Sequence, residues 1–180
     1  MALNDSAIPI QRGNYMEKDQ PKQYVPIFVG STFEDLKTYR TAVRDALHRL
    51  ETIVRGMEYF GSKPGSPVRE CLNVVQSCKI YIGIFGMRYG TIPDGYDKSM
   101  THLEYEEAQN QNSPSLIYII DEDNQPILPK YVEKGEGSER LFKLKQELKK
   151  KHVVSFYTTE DNLASKILHD LPPVLEKNRY

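Results

Sequence analysis

Glu104 is the residue whose type and position best suit catalysis. A predicted helix begins near Thr101, and on its 3.6-residue wheel Glu104 falls between Leu103 and Ala108, the apolar positions that face a core. A carboxylate turned toward an apolar interior is partly desolvated, which raises its pKa and suits it to general-base or nucleophile chemistry. Thr101 and Glu104 also have the spacing of a capping box, so a purely structural role is the alternative. Glu106 falls on the opposite, solvated face.

A short segment could hold an anion. Gly30, Ser31 and Thr32 separate an apolar run from a predicted helix, whose N-terminus offers free N–H groups and a positive dipole end. We group Phe33, which follows, with these candidate ligand-binding residues. The alternative is a simple helix cap, because Ser31 and Glu34 also match a capping box. The glycine spacing of a P-loop or a dinucleotide fingerprint is missing.

Two further segments supply candidate ligand contacts. Gly86, Arg88 and Tyr89 lie in a loop rich in glycine and tyrosine. Arg88 could bind phosphate or carboxylate through its planar fork, and Tyr89 could stack on a base; a surface arginine and a packing tyrosine are the alternative. Glu58 and Tyr59, after the second predicted strand, could add a side wall or fill the core.

Other reactive side chains give little sign of a site. His102 is isolated in the first turn of its helix, where a histidine is typically a surface or cap residue. Cys71 and Cys78 are two turns apart on one predicted helix, too far for a disulfide, which indicates reduced thiols in a reducing compartment. No Ser/His/Asp set or metal-ligand spacing is present. We therefore predict no metal or other cofactor.

Composition excludes several partners. The 180 residues are 39% hydrophobic and 27% charged with a net charge of -1, which is ordinary for a globular domain. No charge excess points to nucleic acid or an acidic membrane, and no apolar run approaches the roughly 20 residues of a membrane span. Residues 1–23 lack the apolar stretch of a signal peptide. We predict a cytoplasmic domain that binds neither membrane nor nucleic acid directly.

Strands and helices alternate five times along the chain. The predicted strands are Tyr24–Val29, Thr52–Met57, Lys79–Phe85, Ser115–Ile120 and Val153–Tyr157. Helices are predicted over Leu36 to Leu50, Pro67–Ser77, Thr101–Gln111 and Ser138–Lys151. A last predicted helix is capped by Thr159 and ends at Pro172 and Pro173. This alternation predicts an α/β, flavodoxin-like three-layer sandwich with a five-stranded parallel sheet in the order 2-1-3-4-5. The candidate segments then converge where strands one and three end, at the point where strand order reverses.

The domain boundaries follow from the same pattern. Residues 1–23 are polar and unpatterned, so we expect a disordered N-terminal arm. Residues 24–173 form one α/β domain, and residues 174–180 form a C-terminal tail.

Several separate motifs resemble a single uncharacterised domain family. They are Phe28–Leu36 (FVGSTFEDL), Gly56–Phe60 (GMEYF), Tyr81–Gly90 (YIGIFGMRYG), Ser99–Ala108 (SMTHLEYEEA) and Val154–Tyr157 (VSFY). The resemblance covers about Tyr24 to Leu171. Members of this family often form the N-terminus of large signalling ATPases of the STAND class, in bacteria and animals.

The resemblance implies a fold and a chemistry. The family is similar to TIR domains and to nucleoside deoxyribosyltransferases, which share the flavodoxin-like sheet. Enzymes of that wider group use one glutamate, early in the helix after strand three, against a ribosyl N-glycosidic bond, and Glu104 has the matching place. The resemblance thus implies NAD or a nucleotide as ligand. The Arg88–Tyr89 loop and the long stretch between strands four and five are specific to this family and differ from the wider group. They leave the identity of the substrate undetermined.

Two functions follow from the sequence. The first is an N-glycosidase or glycosyl transferase that acts on NAD or a nucleotide through Glu104. The second is an interaction module that signals by self-association, as many TIR domains without enzyme activity do, with Glu104 only a cap. The two differ in whether Glu104 lines an open pocket or is sealed by contacts.

Overall fold

A computed structural model describes residues 24–56 and 65–178 of the chain. The predicted N-terminal arm, the segment with Glu58 and Tyr59, and the last two residues lie outside the described residues.

The core of the fold is a parallel sheet of five strands. These are β1 (Pro26–Ser31), β2 (Ile53–Arg55), β3 (Ile80–Phe85), β4 (Ser115–Ile120) and β5 (Ser155–Tyr157). All pairs are parallel and the order is β2-β1-β3-β4-β5. The predicted fold class and strand order are therefore confirmed. β3 is buried along its whole length, as expected for a continuous apolar run at the centre of a covered sheet.

Helices cover both faces of the sheet. They are α1 (Lys37–Arg49), α2 (Pro67–Ser77), α3 (Met100–Asn110), α4 (Glu136–Lys151) and α5 (Glu160–Asn178). Because side chains alternate along a strand, Ile27 of β1 packs with α1 and α5, whereas Phe28 packs with α2, α3 and α4. None of the described helices is both long and apolar enough to cross a membrane.

The first helix starts later than predicted. Ser31 is the last residue of β1, since the pairing with β3 extends to Ser31 and Ile84, and α1 begins only at Lys37. The predicted cap at Ser31 or Thr32 is therefore wrong. Thr32 instead donates its hydroxyl to Asp35 Oδ1 at 2.6 Å, inside the connecting turn. Strand pairing, a long-range interaction, has overridden the local capping signal.

The last helix ends later than predicted. Thr159 caps α5 as expected, because its hydroxyl accepts the backbone N–H of Asn162 at 3.2 Å. However, the helix continues through Pro172 and Pro173 to Asn178. Buried leucine and isoleucine side chains recur every fourth residue on both sides of the prolines, up to Leu175, and their burial offsets the helix hydrogen bonds that proline cannot form.

Candidate functional site

Glu104 lies in the second turn of α3, the helix that follows β3. Ser99 caps this helix by accepting the backbone N–H of His102 at 3.3 Å. The capping box predicted from Thr101 and Glu104 is therefore wrong, and the cap does not explain the glutamate. Only 2% of Glu104 is exposed, so the inward orientation read from the helical wheel is correct.

A thiol contacts the carboxylate of Glu104. Cys71 Sγ, on α2, donates to Glu104 Oε1 at 3.1 Å, and Cys71 is itself buried. Burial raises the pKa of the Cys71 thiol, and the negative charge of Glu104 raises it further. Cys71 therefore remains a neutral donor at physiological pH.

Arg40 and Tyr81 extend this buried polar cluster. Arg40 comes from α1, is 7% exposed, and its guanidinium donates to the hydroxyl of Ser31. Burial raises the pKa of the Tyr81 phenol well above its usual range; the charge of Glu104 adds to this shift and that of Arg40 opposes it. The two opposite charges therefore act on one buried region between Ser31, the last residue of β1, and Tyr81 on β3.

Gly30 belongs to this region through packing. It lies inside β1 rather than in a turn, and a Cβ on it would meet the Tyr81 hydroxyl at 2.5 Å and the ring at 2.9 Å. The glycine thus lets the tyrosine lie against the strand. This close approach, not an anion-binding turn, is the role that the geometry gives Gly30.

A cleft of about 220 Å³ opens beside the cluster, between the end of β1 and the start of α3. We call it the Arg88 cleft. It is lined by Ser31, Thr32, Phe33, Glu34, Arg88, Gly90, Thr91, Met100 and Thr101. The structure therefore brings together four of the predicted ligand-binding residues. The side chain of Arg88 is 37% exposed, with its Nε 4.0 Å from a Glu133 oxygen. Glu104 is not among the lining residues of this cleft.

Tyr89 lies in the core and not in the Arg88 cleft. Its ring is 4% exposed and its hydroxyl pairs with His102 Nδ1 at 2.9 Å, with the two rings edge to face. This geometry corresponds to the packing alternative and leaves no free ring face for a base. His102 is also buried, so the expectation of a surface or cap histidine is wrong. Burial lowers the pKa of His102.

Gly86 faces a second cleft on the α1 and α5 side of the sheet. A Cβ on Gly86 would lie 2.5 Å from Asp35 Oδ2, so only glycine leaves room for this carboxylate. Asp35 accepts the Thr32 hydroxyl on one oxygen and the backbone N–H of Met87, at 3.2 Å, on the other. Burial raises the pKa of Asp35.

Sequence reasoning missed Arg40, Cys71 and Asp35. Arg40 carried a readable signal, because it falls at helical spacing with Leu36 and Val43 on the apolar face of α1. The pairing of Cys71 with Glu104 joins residues 33 apart in sequence and has no local signal. Within residues 24–56 and 65–178, no group of three metal-ligating side chains is found.

Comparisons with known proteins give a family and a fold. Residues 26–172 match the family described as "Domain of unknown function (DUF4062)". A TPR repeat-containing protein of Dictyostelium discoideum is 22% identical over 218 aligned residues, which cover 93% of this chain. The chain spans only 13% of that relative's length.

Two solved structures are similar in architecture. A chain from the crystal structure of the RPS4 and RRS1 TIR domain heterodimer superposes with a TM-score of 0.50 at 10% identity, covering 88% of this chain and 100% of that one. A 2-desoxiribosyltransferase from Leishmania mexicana has a TM-score of 0.47 at 12% identity, covering 81% of this chain and 98% of the other. The likeness to the TIR domain concerns the fold.

Proposed function

This chain belongs to the DUF4062 family of domains of unknown function, and from that premise we propose that it is a TIR-like signalling or effector domain that cleaves a ribosyl N-glycosidic bond. In this proposal NAD or another nucleotide binds in the Arg88 cleft and Glu104 is the catalytic carboxylate. The observation that supports the proposal is the inward-facing carboxylate of Glu104 on the helix after β3, in the electrostatic environment of Arg40.

The lining of the Arg88 cleft suits the polar part of a nucleotide. The guanidinium of Arg88 would bind a phosphate, and the hydroxyls of Ser31, Thr32 and Thr101 would bind phosphate or ribose oxygens. The start of α3 adds a positive dipole end beside them. Ser31 joins the two regions, because it lines the cleft and also accepts a hydrogen bond from Arg40.

The proposed reaction breaks the C1′–N bond of the ribosyl group. The bonding electron pair leaves with the base, which for NAD departs as neutral nicotinamide. The carboxylate of Glu104 would stabilise the oxocarbenium ion that develops at C1′, or attack it, as carboxylates do in sugar chemistry. Water then supplies a hydroxyl to C1′ and releases its proton to solvent. For transfer, an acceptor hydroxyl or base takes the place of water.

The burial of Glu104 sets a condition on this chemistry. With 2% of the residue exposed, the sugar can reach the carboxylate only when the wall between it and the cleft opens. Clustering of domains or substrate binding could supply that opening, so activity is to be sought at high protein concentration.

The same burial favours a second candidate, a non-enzymatic self-association module. In that case Glu104 and Cys71 form a structural pair, and assembly uses exposed apolar residues such as Phe142 (64% exposed) and Phe156 (45%). The TIR neighbour was solved as a heterodimer, which supports association as a property of this fold. We also propose that the domain is part of a larger signalling protein, such as an ATPase of the STAND class.

The decisive experiment is incubation of the domain with NAD and assorted nucleosides, with the released base measured by chromatography. Glu104→Gln keeps the shape and loses the charge, so turnover should fall by about a hundredfold or more. Glu106→Gln is the matched control on the same helix. It removes the 2.7 Å contact with Lys98, a surface pair worth about 1 kcal/mol or less, and should leave activity unchanged.

Two results would count against the enzyme. Equal turnover in wild type and Glu104→Gln would remove the catalytic role of Glu104. Base release in neither, combined with concentration-dependent association in sedimentation, would favour the interaction module. In that case Phe142→Ser should weaken association, whereas Lys143→Ser, its exposed neighbour on α4, should not.

A further inference from the structure

A further cleft among the described residues lies apart from Glu104. It has a volume of about 430 Å³, within the usual range for small-molecule sites. We call it the Asp35 cleft. It opens at the carboxyl ends of β1, β3 and β4, the edge at which parallel sheets bind ligands, and continues over the segment before α4 to the first residue of α5.

About half of the wall of the Asp35 cleft is apolar. The apolar lining residues come from four parts of the chain: Leu36, Met87, Ile120, Pro126, Ile127, Leu128 and Tyr131. An apolar wall of this kind suits the body of an organic ligand.

The charges that line the Asp35 cleft are mainly negative. Glu34, Asp35 and Glu160 supply carboxylates, and Lys37 is the one cation among the described lining residues. The Lys37 ammonium lies 5.8 Å from the centre of the Phe33 ring, and Phe33 does not line this cleft. Within the lining itself carboxylates outnumber cations by three to one, and Arg88 and Lys145 act on Asp35 from outside it.

The polar groups of the Asp35 cleft are held in place. The Thr38 hydroxyl donates to Glu160 Oε1 at 2.6 Å, which joins the starts of α1 and α5, and the Tyr39 hydroxyl donates to the Thr158 carbonyl at 2.9 Å. Asp35 is fixed by Thr32 and Met87, which donate to different oxygens of its carboxylate. Fixed carboxylates in a partly apolar site bind a cationic donor better than mobile surface acids do.

We propose that the Asp35 cleft is a second ligand site, which binds a small organic cation: an amine, amidine or guanidine head on an apolar body. The head pairs with Asp35, and the body lies against Met87, Ile120 and Ile127. This site uses neither Glu104 nor Arg88 as a ligand contact, and the two clefts have only Glu34 in common among their described lining residues.

The test uses three matched probes that differ in charge: benzamidine (cationic), benzamide (neutral) and benzoate (anionic). Binding is followed by the backbone amide shifts of Gly86, Met87 and Ile120 in NMR titrations. We expect benzamidine to bind at least about tenfold more tightly than benzamide, because an ionic hydrogen bond is stronger than a neutral one. Benzoate should not bind.

Variants connect this preference to the carboxylates. Asp35→Asn should abolish the preference for benzamidine, and Asp45→Asn, an exposed acid on α1 outside the cleft, should preserve it. If Asp35→Asn does not fold, Glu160→Gln provides the second test and should weaken benzamidine binding. Glu104→Gln should bind benzamidine as wild type does, which separates the two proposals.

The site would be overturned by no shifts of these amides with benzamidine at millimolar concentration, by equal affinity for benzamide, or by equal benzamidine affinity in wild type and the folded Asp35 and Glu160 variants. Blockage of the cleft by a second copy, seen as amide shifts on protein dilution without any effect of benzamidine, would also overturn it.

Discussion

The Sγ atom of Cys71 lies 3.1 Å from Oε1 of Glu104, so the thiol on α2 hydrogen-bonds the carboxylate on α3. The two residues are 1% and 2% exposed. A buried carboxylate costs free energy unless hydrogen bonds and opposite charge compensate it. The thiol and the nearby charge of Arg40 therefore help to determine whether Glu104 is tolerated inside the domain, whatever its function.

The first prediction concerns this hydrogen bond. Cys71→Ala removes a donor to a buried acceptor and should cost about 1–3 kcal/mol of unfolding free energy. Cys71→Ser keeps a donor at the same place and should cost less. Cys78→Ala is the control, because Cys78 is also buried and, among the described residues, no carboxylate is hydrogen-bonded to its sulfur. The measurement is urea unfolding of all three, and equal losses for Cys71→Ala and Cys71→Ser would show that the bond contributes little.

The second prediction concerns the contact of Gly30 with Tyr81. Gly30→Ala places a methyl group 2.5 Å from the Tyr81 hydroxyl, and such overpacking typically costs about 1–3 kcal/mol. Tyr81→Phe alone should be nearly neutral, because that hydroxyl has no hydrogen-bond partner among the residues that the structure describes. The double variant should recover part of the loss in a double-mutant cycle of thermal or urea unfolding. Simple additivity of the two changes would contradict this explanation.

The third prediction is a pH dependence of stability. Burial lowers the pKa of His102 and of His152 below the usual 6.5, and the charge of Lys151 adds to the shift at His152. Both rings are therefore neutral in the folded protein at a pH where the unfolded chain already binds protons. Stability should be fully present above pH 6.5 and should fall as the pH decreases from there through the lowered folded pKa values.

Variants assign this pH dependence to particular groups. His102 faces the Tyr89 hydroxyl, Glu106 at 3.6 Å and, through that carboxylate, Lys98. His102→Gln should flatten the slope of melting temperature against pH in this window. His48→Gln, at an exposed position on α1, should not change it. If the slope is the same in wild type and His102→Gln, the pH dependence of stability comes from other groups.

Much of the fold could be predicted from sequence because its signals are local. Ser115–Ile120 and Pro67–Ser77 have the predicted bounds, since an apolar run and a proline-led amphipathic pattern are each complete within their own segment. The sheet order followed from alternation and handedness. By contrast, the start of α1 at Lys37 depends on pairing between β1 and β3, which a local capping signal cannot reveal.

The candidate site was predictable only in part. Ser31, Thr32, Phe33 and Arg88 do meet, because the carboxyl ends of parallel strands lie at one edge. The contacts that bury Glu104 and Tyr89 were not predictable, since each joins residues on different helices or loops. The helical wheel predicted that the side chain of Glu104 faces inward, but it could not show which residues bury it.

The last prediction concerns the end of α5. Leu163, Ile167, Leu171 and Leu175 form one buried stripe that passes the two prolines, and Leu175 is 4% exposed. Leu175→Ala should therefore cost about 2–5 kcal/mol, the usual range for a large-to-small change in a core. Glu176→Ala is the matched control at the next, exposed position and should be nearly neutral. Urea unfolding of both variants provides the measurement. A chain that stops at Pro173 should lose at least as much stability as Leu175→Ala. If both changes leave the unfolding midpoint unmoved, the helix beyond the prolines contributes nothing to the core and the domain ends at the prolines instead.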